Sequence, residues 1–451
     1  MSLPRYPKYK DSGVEWLGRI PTHWTIDRFK HSVESCKNGI WGDDAKQNAD
    51  DIPCVRVADF DRRRLRVQLD APTIRNITER ERTGRILRQG DLLLEKSGGG
   101  ESQPVGCVVL YDDALPAVCS NFVARVKVPS SMNASFWRYV HAAAYTVRLN
   151  TRSIKQTSGI QNLDQQQYLD ELAAFPPLGE QTSIAAFLDR ETAKIDALVA
   201  EQDRLIELLK EKRQAVISHA VTKGLNPDVP MKDSGIEWVG QVPSHWAPIQ
   251  VGRVCRDIGD GPHFSPPYVD EGVLFLSARN VKVDCWALDD VKYVSEADCR
   301  EFDKRIVPEP GDVLYTKGGT TGVARVVDLE QRFQVWVHIA VLKVRKDLVT
   351  PHYLAYALNS IGCYEQSQLL TRGATNNDLG LTRMTKIWFG LPPLAEQRAI
   401  VEFLEGATSR LDTLTAEAQR GIDLLQERRT ALISAAVTGQ IDVREAAGRA
   451  A

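Results

Sequence analysis

Two short segments of the chain combine one lysine with consecutive glycines and hydroxyl side chains. The first, KSGGG, spans 96–100, and the second, KGGTT, spans 317–321. Glycine lets a backbone approach a ligand closely, and lysine and hydroxyl groups bind phosphate oxygens. The segments therefore predict contact with a phosphate backbone, although plain hairpin turns would explain them equally well. The residues predicted to make these contacts are Lys96, Ser97, Gly98, Gly99, Lys317, Gly318, Gly319 and Thr320.

Two polar segments carry side chains that can match the edges of bases. RSIKQTSGIQN spans 152–162, and LTRGATNN spans 370–377. Arginine pairs bidentately with guanine, and asparagine or glutamine with adenine, so these segments predict direct base reading. Solvated loops are the alternative. The candidate residues are Lys155, Gln156, Thr157, Gln161, Asn162, Arg372, Thr375, Asn376 and Asn377.

Further nucleic-acid contacts are predicted after strands and in one basic cluster. Arginines at 62, 63, 64 and 66 could neutralise phosphates even though the formal net charge of the chain is −2. A solvated basic turn would have the same composition. The remaining candidates, with those of the cluster, are Arg56, Asp59, Arg62, Arg63, Arg64, His263, Arg279 and Asn280.

Signals of catalysis are weak. FSPPYVD, residues 264–270, looks like the tetrapeptide with which amino-methyltransferases hold a target amine, but no glycine-rich cofactor loop accompanies it. Glu95 before Lys96 becomes Thr316 before Lys317, so the two halves do not share an acidic residue of nuclease type. The sequence has no GxxxxGK[ST] phosphate loop. We therefore expect a non-catalytic chain with no metal or cofactor of its own.

The elements that must position these residues form an internal repeat. KDSGVEWLGRIPTHW at 10–24 returns as KDSGIEWVGQVPSHW at 232–246, with ten of fifteen positions identical. FPPLGEQ from Phe175 likewise returns as LPPLAEQ from Leu391. Each half is therefore a variable block followed by a helical block. The predicted boundaries are 1–175 for the first variable block with its conserved segment 8–24, 176–224 for the first helix, 225–391 for the second block with its segment 232–246, 392–440 for the second helix, and 441–451 for a tail.

The helical blocks show heptad spacing of apolar residues, which is typical of a coiled coil. At about 1.5 Å per residue each helix would be roughly 65 Å long, more than an ordinary amphipathic helix on a globular core requires. If the two helices pair, the simplest arrangement is antiparallel, with an approximate two-fold axis between the halves. The predicted seam residues are Leu188, Ile195, Leu198, Leu205, Leu209, Val216, Leu404, Leu411, Leu414, Leu425 and Leu432.

The variable blocks are predicted to be mixed α/β. Alternating or β-branched runs bounded by glycine, proline and aspartate indicate strands, and 134–147 and 351–360 indicate helices. The eight cysteines show no CxxC spacing, and no apolar run reaches the roughly 18 residues that span a membrane. We expect a cytoplasmic protein with reduced cysteines.

Twin variable blocks, each opened by KDSGxEWxGxxPxHW and closed by a PPLxEQ helix, closely resemble the specificity subunit of type I restriction-modification enzymes. The resemblance covers about residues 8–440. It implies two DNA-recognition domains that read a bipartite, asymmetric target in double-stranded DNA, and spacer helices that dock two methyltransferase subunits. Restriction subunits would join through the complex, and S-adenosylmethionine, ATP and Mg would be bound by these partners. A repeat scaffold that binds only proteins is the alternative.

Overall fold

A computed structural model describes residues 4–373 and 378–445, apart from the side chains of Thr157 and Ser158. The chain forms two compact units. Unit 1 consists of Met1–Asp203 and Arg420–Ala451, and unit 2 of Arg204–Gln419. Each unit therefore contains one variable block and part of each long helix.

The two long helices have the extent that the sequence predicts: α4 contains 46 residues and α10 contains 44. Pro177 and Pro393 lie just before their first residues, where the missing N–H group costs no helical hydrogen bond. The helices are α1 (Glu79–Arg82), α2 (Ala134–Thr146), α3 (Gln165–Leu169), α4 (Leu178–Lys223), α5 (Val251–Val254), α6 (Glu296–Asp303), α7 (Pro351–Leu358), α8 (Ile361–Leu370), α9 (Leu381–Met384) and α10 (Leu394–Val437).

Unit 1 is mixed α/β, as predicted. Its largest sheet has six strands in the order β4-β14-β10-β12-β8-β7, and a second has the order β13-β6-β9-β5. Its strands are β1 (Tyr9–Asp11), β2 (Arg19–Pro21), β3 (Thr25–Arg28), β4 (Ser35–Asn38), β5 (Asp43–Asp44), β6 (Asp51–Val55), β7 (Phe60–Asp61), β8 (Arg66–Val67), β9 (Thr73–Asn76), β10 (Asp91–Glu95), β11 (Ser97–Gly98), β12 (Val108–Tyr111), β13 (Val118–Cys119), β14 (Val123–Lys127), β15 (Ile154–Ser158), β16 (Ile160–Leu163) and β17 (Leu172–Phe175).

In its described residues, unit 2 repeats this frame with fewer strands. Its main sheets have the orders β21-β27-β24-β25 and β23-β22-β26. The core around α7 buries residues of both long helices, among them Ile217 and Leu404. Its strands are β18 (Met231–Asp233), β19 (Gln241–Pro243), β20 (Ala247–Gln250), β21 (Cys255–Asp260), β22 (Val273–Leu276), β23 (Lys292–Val294), β24 (Val313–Thr316), β25 (Ala324–Val326), β26 (Phe333–Val335), β27 (Ile339–Val344) and β28 (Trp388–Leu391).

The repeated opening phrase is explained by its contact with the repeated helix start. In unit 1, His23 Nε2 lies 2.6 Å from Glu180 Oε1, and Trp24 Nε1 donates to Glu180 Oε2 at 2.9 Å. In unit 2, His245 Nε2 lies 2.7 Å from Glu396 Oε2. In each unit the histidine of the repeated opening segment therefore contacts the glutamate of the PPLxEQ motif.

Within each unit, segments of α4 and α10 run antiparallel. In unit 1, Asp196 lies 3.5 Å from Arg429, and earlier on α4 Glu180 lies 4.0 Å from Arg444, beyond the end of α10. In unit 2, Arg213 forms an ion pair with Asp412. The residues of the two pairs are equivalent, since both aspartates and both arginines are 216 positions apart. The same cross-helix pair is thus made twice, with the roles of the helices exchanged.

The predicted seam residues fall into two heptad registers. The first, which contains Leu188 and Ile195, is buried or partly buried as predicted, but the second, which contains Leu198, Leu205 and Leu414, is wrong. Leu198, Leu205 and Leu414 are 50%, 41% and 47% exposed. Val199 and Ile206 are buried instead, one position further along the helix. A step of one residue turns a helix by about 100°, so these two residues share the face of Ile195 while the leucines point elsewhere. The seam residues that are buried as predicted are Leu188, Ile195, Leu209, Leu404 and Leu411, and Val216, Leu425 and Leu432 are partly buried.

Candidate nucleic-acid interface

In unit 1 the lysine-glycine segment and the polar segment before α4 form one surface. They meet in a three-stranded sheet of order β11-β16-β15, in which Ser97 is paired with Asn162 and Gly98 with Gln161. The Ser97 hydroxyl also donates to Asn162 Oδ1 at 2.6 Å. The two predictions made from separate stretches of sequence therefore describe adjacent strands.

A third segment, the end of β4, joins this surface. Lys96 Nζ donates to Asn38 Oδ1 at 2.6 Å, and Asn38 is exposed. Lys155, whose side chain is 70% exposed, forms a surface ion pair with Asp164 at 2.6 Å. Gln161 does not face solvent: it is 7% exposed and its Oε1 accepts from the Val105 backbone at 3.2 Å, so its predicted base contact is corrected to a structural one. Gln156 is exposed, and the side chain of Thr157 lies outside the described residues.

Unit 2 builds the equivalent surface from equivalent backbone contacts. Gly318 is bridged to Asp378, and Leu379 N donates to Lys317 O at 2.8 Å, as Leu163 N does to Lys96 O at 2.8 Å. Exposed Arg372 pairs its backbone with Asp378. The candidates Thr375, Asn376 and Asn377 lie outside the described residues.

Lys317 differs from its counterpart Lys96 because it is buried. It is 4% exposed and lies 3.2 Å from Asp260, which is 2% exposed. Arg305 donates to the same carboxylate at 2.6 Å, and exposed His263 lies 3.2 Å from it. Burial acts to raise the pKa of Asp260, but Arg305 and Lys317 together hold it below its usual value. The predicted phosphate contact of Lys317 is therefore corrected to a buried ion pair that anchors the loop.

The candidates that follow β6 and β22 are partly used in building tight turns. Asp59 Oδ2 accepts from the Arg56 backbone at 2.7 Å, and Asn280 Oδ1 accepts from the Ser277 backbone at 2.8 Å. Asn280 is 3% exposed and also donates to Ala287 O at 2.8 Å. The polar atoms of Asn280 are thus satisfied inside the unit, and base reading by Asn280 and Asp59 is not supported. Arg279, with a side chain 58% exposed, lies 3.4 Å from the exposed Asp290 and stays a candidate.

The basic cluster is compensated by acidic residues rather than presented to solvent as a positive patch. Arg62 donates to Glu95 at 2.7 Å, and the Glu95 side chain is 1% exposed. Arg63 lies 3.3 Å from Asp196 on α4. Each guanidinium is thereby directed at a neighbouring element, so both predicted phosphate contacts are corrected to structural pairs. Arg64 is 60% exposed and stays a candidate.

Four residues of the two surfaces were missed by motif reasoning. Asn38 and Asp260 each end a strand before a glycine, and they are 222 positions apart, the offset of the opening phrase. Applying that offset would have revealed the pair. Trp336 and His338 line a recess beside Gly318, and a Cβ on Gly318 would overlap the His338 ring. They were missed because the two halves differ there.

Comparison with known proteins shows what the chain is similar to. Residues 290–422 match the family model described as type I restriction modification DNA specificity domain. The type I restriction enzyme EcoBI specificity subunit of Escherichia coli is 20% identical over 333 residues, which cover 72% of this chain and 70% of that protein. Over most of its length the chain is therefore similar to type I specificity subunits. The StySPI specificity subunit of Salmonella potsdam is 22% identical over 271 residues, 59% of this chain and 57% of that protein.

Solved structures establish the specificity-subunit fold over nearly the whole chain. A chain from a structure of the type I R-M system has a TM-score of 0.68 at 18% identity and covers 93% of this chain and 98% of its own length. The HsdS subunit from Thermoanaerobacter tengcongensis has a TM-score of 0.50 with the same coverage and identity. Among residues 4–373 and 378–445, no helix could cross a membrane and no cluster of three or more His, Cys, Asp or Glu could hold a metal ion.

Proposed function

We propose that this chain is the non-catalytic subunit that reads the DNA sequence for a type I restriction-modification complex in the cytoplasm. Each unit recognises one half of a bipartite, asymmetric target. The observation that carries the proposal is one three-segment surface built twice on the same backbone frame with different side chains. The equivalent pairs are Asn38 with Asp260, Ser97 with Gly318, and Asn162 with Asp378.

We assign base reading to exposed planar side chains and positioning on the phosphate backbone to the half-buried lysine of unit 1. In unit 1 these are Asn162 and Gln156 for bases and Lys96 for phosphate, and in unit 2 Arg372 reads bases. Amide and guanidinium groups can match the donor and acceptor pattern of a base edge, whereas an ammonium attracts phosphate at any sequence.

The long helices set the gap between the half-sites and dock two methyltransferase subunits. Exposed leucines support the docking role, because large apolar side chains in solvent mark interaction surfaces. Unit 1 exposes Leu198 and Leu424, and unit 2 exposes Leu205, Leu208 and Leu414. Restriction subunits join through this complex, and the partners contribute S-adenosylmethionine, ATP and Mg.

The experiment is a DNA retardation assay with the chain alone and with its methyltransferase partners, at low salt and with excess competitor DNA. We expect fragments that contain one particular sequence to stay bound in the presence of competitor DNA. The Lys96→Ala and Arg372→Ala variants should bind these fragments more weakly. If the assembled complex forms but prefers no DNA sequence, the chain is a protein-binding repeat scaffold instead.

A further inference from the structure

Unit 2 contains a recess of about 360 Å³ that lies against Gly318 and Gly319. This volume is near the lower end of the roughly 300–1,000 Å³ found for pockets that enclose small organic molecules. The recess therefore adjoins the surface assigned to DNA and is large enough for a planar ring system.

The lining of the recess is rich in aromatic rings. Tyr268, 45% exposed, packs against buried Phe275 with ring centroids 6.3 Å apart. Trp336 and His338 form a second pair with centroids 4.7 Å apart. Burial and the charge of Lys317 lower the pKa of His338, so its imidazole is neutral near pH 7. Neutral aromatic faces of this kind stack favourably on nucleobases.

Polar groups complete the lining. Thr320 brings a hydroxyl group that can donate to or accept from a base edge, and the Ser277 hydroxyl, which donates to Asn280 Oδ1 at 2.8 Å, can accept from one. Arg279 and Lys292 also line the recess, with side chains 58% and 46% exposed, and share Asp290 at 3.4 and 3.3 Å. Because Asp290 is 74% exposed, these pairs are weak and both cations can turn to a phosphate.

The Trp336–His338 wall of the recess has no aromatic pair at the equivalent positions of unit 1, where Ser120 and Phe122 stand. The backbone N–H of Lys317 donates to His338 O at 2.8 Å, as that of Lys96 does to Phe122 O at 2.8 Å, which makes His338 equivalent to Phe122. Two residues earlier, Ser120 stands in unit 1 where Trp336 stands in unit 2. The second unit has therefore gained an aromatic wall on a shared frame.

We propose that this recess receives one nucleobase unstacked from the bound DNA, packed against Tyr268 and Trp336, with its neighbouring phosphate on Arg279 and Lys292. The proposal rests on the proposed function and adds a specificity-determining contact to unit 2. It also gives FSPPYVD a role, because Tyr268 of that motif stacks on a base without any transfer of a methyl group.

The test uses the complex of this chain with its methyltransferase partners. The half-site that unit 2 reads is first identified by exchanging residues 225–391 for the block of another such subunit and finding which half of the target changes. Each base of that half-site is in turn placed opposite an abasic site, which lowers the cost of unstacking it. We expect one position, distinct from the methylated adenines, where this change tightens binding by about tenfold. Tyr268→Ala and Trp336→Ala should bind the intact target about tenfold more weakly and lose that gain.

Phe264→Ala is the matched control, since Phe264 lies in the same loop and is 60% exposed but does not line the recess. It should keep the gain. If no position gains affinity, or if the gain persists in Tyr268→Ala and Trp336→Ala, the proposal is wrong. If Trp336→Ala loses hydrogen-exchange protection throughout unit 2, the variant is unfolded there, and the binding of Tyr268→Ala is used to test the proposal instead. A complex that prefers no DNA sequence would instead contradict the proposed function.

Discussion

Lys96 and Lys317 occupy equivalent positions in the two units, but their replacement by methionine should affect different properties. Lys317→Met should destabilise unit 2, whereas Lys96→Met should change DNA binding. Lys317 is 4% exposed and lies 3.2 Å from a carboxylate that is 2% exposed. Breaking a buried ion pair from one side costs roughly 3–5 kcal/mol. Arg305 remains on Asp260 at 2.6 Å and methionine fills most of the vacated volume, so we expect about 3 kcal/mol for Lys317→Met.

Lys96 is half-buried and its partner is the neutral, exposed Asn38. Lys96→Met should therefore cost less than about 1 kcal/mol of unfolding free energy. It should instead reduce the slope of log affinity against log salt by about one, since one phosphate contact is lost. Lys317→Met should leave that slope unchanged.

Hydrogen exchange followed by mass spectrometry measures the first effect in β21, β24 and β27 without assuming that both units unfold together. Titrations with DNA at several salt concentrations measure the second. If Lys317→Met left protection unchanged and lowered the salt slope, Lys317 would face phosphate and its assignment as a buried anchor would be refuted.

The ion pair between Lys317 and Asp260 also predicts that the stability of unit 2 depends on pH. The folded pKa of Asp260 is held below its ordinary value, so the ion pair stabilises unit 2 at neutral pH. This contribution is lost as the pH falls below about 4 and through the folded pKa. The cost of Lys317→Met should shrink over that range, and a cost that stays constant would contradict the ionised state of Asp260.

Three further predictions concern the long helices. Leu198→Glu should weaken methyltransferase docking at least about tenfold in a pull-down without destabilising unit 1, because Leu198 is exposed. Leu188 is buried, so Leu188→Ala should lower the free energy of unfolding by about 2–5 kcal/mol in a denaturation experiment. Asp196→Asn leaves Arg63 and Arg429 without their shared carboxylate and should lower the free energy of unfolding by about 3 kcal/mol. Asp412→Asn, at a side chain 50% exposed, should lower it by less than about 1 kcal/mol. Equal costs would contradict the difference in burial between the two aspartates. Inserting four residues after Asp203, with the matching insertion in α10, should lengthen the target gap by about one to two base pairs, and an unchanged gap would mean that the helices do not set it.

The fold was predictable because its signals are local. Heptad spacing and the paired prolines give α4 and α10, and alternating apolar runs give strands such as Asp91–Glu95 and Val313–Thr316. The second seam register failed because leucine spacing alone does not say which of two adjacent helical faces is buried. Tertiary packing buries Val199 and leaves Leu198 exposed, and heptad spacing within one helix does not carry that information.

The candidate interface was predictable in position but not in detail. The loops of Lys96 and Lys317 were found in both halves because lysine and glycine are kept. The burial of Lys317 depends on Asp260, which lies 57 positions earlier and replaces a neutral asparagine. The pairing of Arg62 with Glu95 likewise joins residues that are distant in sequence. Such pairings arise from tertiary packing, so composition shows a basic cluster where the structure has compensated charges.

Mapping of the methylated adenines in DNA modified by the assembled complex tests the central claim most directly. Two readers of different chemistry predict a motif with two unlike halves separated by a fixed gap. Exchange of residues 17–175 for the block of another such subunit should change one half and preserve the other half and the gap. A single continuous motif, no motif, or a change in both halves after the exchange would contradict the assignment of one half-site to each unit.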